Sequence, residues 1–252
     1  MPATPAATPR PVATVRRAVA VLLALGDAPD GLGTNEIARR TGVNASTVSR
    51  LLSTLAEDGL VHRADGGGPV RLGPRLVELG NAALAGLGIR ELARPHLVEL
   101  AEATGETATL SLPAEEATFT VDYVQSSSSV RSVAEVGRPS VLHATATGKV
   151  LLAHREGVPA GRLAAYTPRT ITDPELLARE VARTRERGWA QAVGEREEDL
   201  NAVAAPVLDV HGELTAILGL QGPSARFGQR AMRTAVAALV AHAEQLSTRA
   251  GR

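Results

Sequence analysis

Apolar residues recur along this chain with two periods. Before Glu106 most return every three or four positions, as on helix faces; beyond it short alternating, strand-like runs are mixed with further helical stretches. In VRRAVAVLLAL, Val15, Ala18, Val19, Leu22 and Leu23 share one helical face, and GDAPDG ends the helix. TNEIARRTG follows as a short helix, with Thr34 its expected cap, Ile37 and Ala38 turned inward, and Gly42 supplying a tight turn. In NASTVSRLLSTLAEDG, Asn44 can cap the next helix and Val48, Leu51, Leu52 and Leu55 form its apolar stripe. The opposite face carries Ser46, Ser49, Arg50 and Ser53. Short hydroxyls and an Arg fit a major groove, where they can meet phosphates or base edges. Two short helices joined at Gly42, the second with this polar face, read as a helix-turn-helix. LVHRADGGGPVRLG then alternates over 60–63 and 70–72 around a Gly-rich turn, a two-stranded wing from which Arg63 and Arg71 can approach a sugar-phosphate backbone.

RLVELGNAALAGLGIRELARPHLVELAEATG is helical in pattern and interrupted around Gly86 and Gly88. Leu76, Leu79, Ala83 and Leu87 leave an apolar face for a second subunit to cover. Pro95 predicts a second helix starting nearby, with Leu97 and Leu100 facing a core. Next, ETATLSLP and ATFTVDYV read as strands with Glu115 and Glu116 in the turn between them, and VRSVAE as a candidate third. HATATGKVLLA reads as a short helix leading into a loop through Pro159 and Tyr166. In TDPELLAREVARTRERG, Thr172 and Glu175 have capping-box spacing and Pro174 falls in the first turn. WAQAV, NAVAAPVLDV and ELTAILGLQGP predict further strands, with His211 and Gly212 at a hairpin turn, and RAMRTAVAALVAHAEQLS closes as a helix. No repeated strand–long helix–strand unit appears, so the economical fold is α+β with an antiparallel sheet.

Composition narrows the function. The 252 residues include five aromatics, so Leu, Val and Ala must carry the core, and no cysteine, which excludes disulfides, thiolate catalysis and cysteine-ligated metals. MPATPAATPR reads as a disordered tail over residues 1–10, with no secretory signal after it. No apolar run reaches the ~20 residues of a membrane span, so a cytoplasmic protein without a membrane partner is expected. Residues 1–75 hold nine Arg against six Asp and Glu, a net of +3, and the remainder carries −3, a polarity suited to an N-terminal nucleic-acid module.

The six histidines show no metal-ligand spacing, and His143 reads as a polar group at a helix start. ATGK lacks the flanking residues of a phosphate-binding loop, leaving Lys149 as a surface or ligand-edge cation. EREED, residues 195–199, reads as a solvated loop over or beside a cleft. No nucleophile, base and orienter emerge together, so no enzyme activity and no cofactor are expected.

In order and spacing, EIARRTGVNASTVSRLLSTLAEDGLVHR, RLGPRLVELG, LAEATGET, EVGRPSVLHATATGKVLLA, TITDPELLAREVARTRERGWA and AVAAPVLDVHGELTAILGLQGPSARF resemble the IclR family of bacterial transcription regulators. The resemblance implies a winged helix-turn-helix over 11–74, a helical linker over 75–92 and a GAF-like effector domain over 93–252. It implies operator DNA as partner, a homodimer or dimer of dimers, and a small organic or aromatic acid as effector, most often in a repressor. Ser46, Thr47, Ser49 and Arg50 then belong to the recognition helix and Arg63 to the wing. The effector pocket carries over to Ser129, Ser132, Ser140, Ala146 and Thr147 on one side and Leu200, Ala202, Gly219 and Gln221 on the other. The chain departs from its relatives at Val141, where Pro is frequent; at Ala202, where Cys is frequent; and in LGLQGP, where two small hydroxyls give way to Gly219 and Gln221. Within QSSSSVRSV, Ser129 and Ser132 are expected to line the pocket and Ser126–Ser128 to form its rim, which favours a hydrogen-bonding effector. Two other readings stay open: a ligand-independent DNA-binding dimer with a vestigial pocket, and an enzyme in the C-terminal domain.

Overall fold

A computed structural model describes residues 12–63, 68–85, 88–129, 132, 134–159 and 161–250. The expected tail, the tip of the wing and Leu87 lie outside these residues. The chain divides into two compact units, Met1–Gly86 and Leu87–Arg252. The division falls inside the stretch expected to act as linker.

The first unit contains helices α1 (Ala13–Gly26), α2 (Thr34–Thr41) and α3 (Ala45–Glu57), strands β1 (Val61–Arg63) and β2 (Val70–Leu72), and helix α4 (Arg75–Ala85). Val21, Leu25, Ile37, Val48, Leu52, Leu55, Val61 and Val70 form its core. The stripe read on α3 therefore faces inward, with Leu51 partly buried against the same cluster. On α1 the buried positions are Val21 and Leu25, while Val15, Val19 and Leu23 are exposed. This helix is apolar on two faces, and spacing alone does not say which one packs. Gly42 ends α2 in the left-handed region at φ 68°, and Asn44 Oδ1 accepts the Thr47 N–H at 2.8 Å to cap α3. Thr34 is the first residue of α2 rather than its cap, which is Gly33. β1 and β2 pair antiparallel, and Leu32 exchanges two backbone bonds with Val70, tying the wing to the α1–α2 connection.

The second unit opens with α5 (Ile89–Thr104), followed by β3 (Thr107–Pro113), β4 (Thr118–Val124), β5 (Pro139–Ser140), α6 (Ala146–Ala153), α7 (Pro174–Arg187), β6 (Ala190–Val193), β7 (Leu200–Leu208), β8 (Leu214–Pro223) and α8 (Gln229–Ala250). The strands form one antiparallel sheet in the order β5-β4-β3-β8-β7-β6. α5 and α8 pack on it together, and α6 packs against β6, β7 and β8 with α7 behind it. Alternation along β8 puts Ile217 and Gly219 on the side of α6 and Ala216, Leu218 and Leu220 on the other face, all of them buried. Three expectations are corrected here. Pro95 lies inside α5, which begins at Ile89, so the helix runs through it without an N–H for the Glu91 carbonyl. α7 is capped by Asp173, whose carboxylate accepts from Glu175 and Leu176, because Asp173 directly precedes Pro174 and Thr172 is one residue too early. The third strand beyond β4 is β5; of the VRSVAE segment, Ser132, Ala134 and Glu135 have no strand structure and the rest lies outside the described residues.

One irregularity sets up the site. The β3–β4 register shifts between Leu110 and Ser111, so that Leu110 faces Asp122 but Ser111 faces Thr120. A β-bulge changes which face a side chain meets. On one side of it Thr118 Oγ1 donates to Thr147 Oγ1 of α6 at 2.9 Å, and on the other Asp122 receives Arg94 of α5 at 3.0 Å.

Candidate functional site

On α3, Ser46, Ser49 and Arg50 are exposed and Thr47 is half-buried. Ser46 Oγ donates to Asn44 Oδ1 at 2.9 Å, which ties it to the helix cap. Among the described residues no carboxylate pairs with Arg50 or Arg63. Arg39 and Arg40 differ: both bond Glu36, and their hydrogen bonds hold its carboxyl down at about 2. Arg63 is exposed and reaches Thr34 Oγ1 at 3.2 Å, while Arg71 donates to the Asp30 carbonyl at 3.3 Å. The unit thus presents free hydroxyls and a free guanidinium on α3 beside a wing arginine, all on one small scaffold.

In the second unit, a cavity of about 520 Å³ opens between the sheet and the start of α6. Ser132, Ser140, Ala146, Thr147, Leu200, Ala202, Gly219 and Gln221 all line it. Ser129 does not: it is exposed, and the lining contains no atom of it. Ser126, expected at a rim, is instead buried, with its Oγ donating to the Gly105 carbonyl at 2.6 Å. Of the run, then, only Ser132 lines the cavity as expected: the first serine is pinned to Gly105 at the end of α5, and Ser127 and Ser129 are exposed.

Strand hydroxyls that sequence reasoning passed over also reach the cavity: Thr109, Ser111 and Thr120. TATLSLP carries a signal for the first two in its alternation, but the bulge that brings Thr120 beside Ser111 is not visible in it. Gly219 makes room for Thr109. A Cβ at 219 would lie 2.6 Å from Thr109 Oγ1. Ser132 Oγ accepts from Gln221 Nε2 at 2.8 Å, and Thr145 is committed as the α6 cap, accepting from Gly148 N–H at 3.0 Å. Arg138 and Arg196 bring positive charge to the cavity and Glu135, Glu197 and Asp199 negative charge. The Arg196 guanidinium rests 4.0 Å over the Tyr166 ring.

Lys149 is neither at the surface nor at the cavity edge. Its side chain is 1 % exposed, and Nζ donates to Glu195 Oε1 at 2.6 Å and to the Gln191 carbonyl at 2.9 Å. Glu195 is accordingly the buried member of EREED, whereas Glu197, Glu198 and Asp199 are exposed. Thr170 Oγ1 donates to the Glu195 carbonyl at 2.6 Å and Thr167 Oγ1 to that of Gly194 at 2.7 Å. These bonds fasten the start of the segment whose following residues border the cavity. His143 is buried, with Nε2 2.9 Å from the Ala164 carbonyl. Among the described residues no cluster of His, Asp and Glu could hold a metal ion, and no helix is long and apolar enough to cross a membrane.

Comparison with known proteins matches residues 14–65 to the IclR helix-turn-helix domain and residues 81–248 to the bacterial transcriptional regulator IclR C-terminal domain. The HTH-type transcriptional regulator BhcR of Paracoccus denitrificans is 33 % identical over 86 % of this chain and 80 % of its own length. An IclR transcriptional regulator from Alicyclobacillus acidocaldarius has a solved structure that superimposes with a TM-score of 0.82 at 29 % identity, covering 96 % of this chain and 100 % of that one. An IclR homologue from Microbacterium hydrocarbonoxydans, solved in complex with 4-hydroxybenzoate, gives a TM-score of 0.76 at 27 % identity over 94 % of this chain and 98 % of that one.

Proposed function

Because the chain belongs to the IclR family of bacterial transcriptional regulators, and is therefore a DNA-binding regulator and not an enzyme, we propose that it is a cytoplasmic, ligand-responsive repressor. In this reading α3 enters the major groove, with Ser46, Thr47, Ser49 and Arg50 on the bases and phosphates and Arg63 on the backbone beside it. The second unit, read as GAF-like, takes a small organic acid between the sheet and α6. Ser132, Ser140, Ala146, Thr147, Leu200, Ala202, Gly219 and Gln221 form its walls, and Ser129 drops out of the set. The carrying observation is the open cavity of about 520 Å³, within the ~300–1,000 Å³ range of small-ligand sites, lined by small side chains instead of being filled by large ones.

Two copies per operator follow from the electrostatics and from the exposed apolar surface. One recognition helix with a single free Arg offers few phosphate contacts, and paired half-sites double them. On α1 Val15, Val19 and Leu23, and on α4 Val77 and Leu79, are 49–67 % exposed, a supply of apolar surface that a second copy would cover. Effector binding would then alter operator affinity by changing the placement of the two heads.

The test is to recover genomic fragments bound by the full chain, with and without a panel of small acids. A shared palindromic motif whose occupancy falls with one acid is the expected result. A Ser46→Ala/Arg50→Ala double variant should lose sequence preference, and unchanged preference would remove α3 from the recognition role. Identical occupancy across the panel, with no thermal shift of the protein by any acid, would leave a ligand-independent DNA-binding dimer instead.

A further inference from the structure

Taking the cavity as the effector site, we infer that its ligand is an aliphatic acid bearing several hydroxyl groups, rather than an aromatic or hydrocarbon acid. The observation is the state of the hydroxyls on the sheet. Ser111 is 1 % exposed and Thr109 5 % exposed, both line the cavity, and among the described residues neither hydroxyl has a protein partner. Hydroxyls find partners, and these two open on the cavity, so whatever fills it satisfies them.

The placement of those groups narrows the ligand further. The bulge in β4 puts Thr120 opposite Ser111 on the neighbouring strand, and the missing side chain at Gly219 leaves the Thr109 hydroxyl uncovered. Two residues along β8 from Gly219, Gln221 bonds Ser132, and Ser132 keeps its own O–H to donate. Hydroxyl donors and acceptors therefore lie along the strand side over several ångströms, more than a single ligand hydroxyl can meet. Alanines supply the apolar part of the lining, Ala192 and Ala202 on β6 and β7 at the far end of the same sheet face and Ala146 on α6, and among the described residues no aromatic ring lines the cavity. An aromatic acid would find no ring to stack on and would leave the strand hydroxyls unpaired. A flexible chain with a hydroxyl on successive carbons can pair with them in turn and lay its C–H groups on the alanines. Arg196, whose charge faces a ring and no carboxylate among the described residues, is the available partner for the acid group.

The experiment is calorimetric titration of the full chain with D-glycerate, L-threonate and D-gluconate, set against hexanoate, 4-hydroxybenzoate and sorbitol. At least one polyhydroxy acid should bind about 100-fold more tightly than hexanoate, and sorbitol should bind more weakly than the best acid. Ser111→Ala and Thr109→Val should each weaken that acid roughly tenfold while leaving the affinity for hexanoate unchanged. Tighter binding of hexanoate or 4-hydroxybenzoate than of every polyhydroxy acid overturns the inference and leaves the ligand-responsive reading standing. So does sorbitol binding as tightly as the best acid. If no probe binds, the inference falls, and the effector site falls with it if the acid panel on operator DNA is also silent.

Discussion

Replacing Lys149 by Met should destabilise the second unit severely, and replacing its partner as well should restore much of the loss. Lys149 and Glu195 are an ion pair at 2.6 Å with side chains 1 % and 9 % exposed, and Nζ also holds the Gln191 carbonyl of β6. Glu195 Oε2 is already buried without a donor among the described residues, and Oε1 has only a long 3.4 Å bond from Val193 N–H apart from the lysine. Lys149→Met therefore strands a carboxylate in a site that water does not reach. Removing one partner of such a pair costs about 3–5 kcal/mol, whereas replacing both by apolar groups of similar volume is often close to neutral. For a domain of this size that is a fall in Tm of about 10 °C. Urea unfolding of the full chain, followed by tryptophan emission, isolates the effect. Trp189, the single tryptophan, lies immediately before β6, half-buried under Arg187 at 4.1 Å, so the signal reports the second unit alone. The Lys149→Met/Glu195→Leu double variant should recover at least ~2 kcal/mol relative to the sum of the single variants. A loss below ~1 kcal/mol in Lys149→Met, or strict additivity in the double variant, would refute the pair as the fastening of this segment.

Gly148→Ala should leave the second unit unfolded or insoluble: a Cβ there would come within 2.5 Å of the Leu142 Cα and of the Leu142 and Val141 carbonyl oxygens, all backbone, so no side chain can move aside. Normal expression with an unchanged Trp189 transition would contradict that packing. His96 is buried with Nδ1 2.9 Å from Nδ1 of His242, and burial first, then the neighbouring His242 and Arg249, push its pKa below the ordinary 6.5, against a weaker upward pull from Glu99. Its neutral form is the folded form, so its contribution is complete above pH 6.5 and is lost as pH falls from there through the lowered value. Urea midpoints at pH 7.5 and 5.5 should diverge less in His96→Gln than in the parent, and equal divergence would show that His96 is not the group responsible. Leu23→Glu on the exposed face of α1 should leave the monomer folded but lower operator affinity and shift the species seen by light scattering toward monomer. An unchanged mass and affinity would remove that face from the interface between copies.

How far the sequence could be read depended on the range of the interaction. Features decided by neighbours a few residues apart were legible: the α3 stripe with its Asn44 cap, the Gly42 turn, and β7 and β8 as strands. Those decided by distant partners were not. Lys149 looks like a surface cation because nothing near it in sequence is acidic; Glu195, 46 residues later, reaches it only after α7 and β6 have folded back along α6. On α1, two apolar faces compete, and only the positions of α2, α3 and the wing decide that Val21 and Leu25 go inside. The family resemblance puts Ser129 in the pocket, but its exposure three residues after the buried Ser126 is decided by tertiary structure.

The cavity arises from a combination that no single segment reveals. A sheet packed against a helix ordinarily fills the space between them, and here three local concessions prevent it. Gly219 withholds a side chain where Thr109 needs room, β6 and β7 offer Ala192 and Ala202 where larger residues would meet α6, and the bulge in β4 keeps Thr118 and Thr120 turned to this side before Asp122 leaves for α5. Each departure looks neutral when read along its own strand: a glycine, two alanines, an extra residue. Brought into register by β3, β8 and β7, they leave a space lined by both hydroxyls and methyl groups. Gly219→Ala acts on the most sensitive of the three. Its Cβ, 2.6 Å from Thr109 Oγ1, must displace that hydroxyl, so ligand affinity should fall more than stability does.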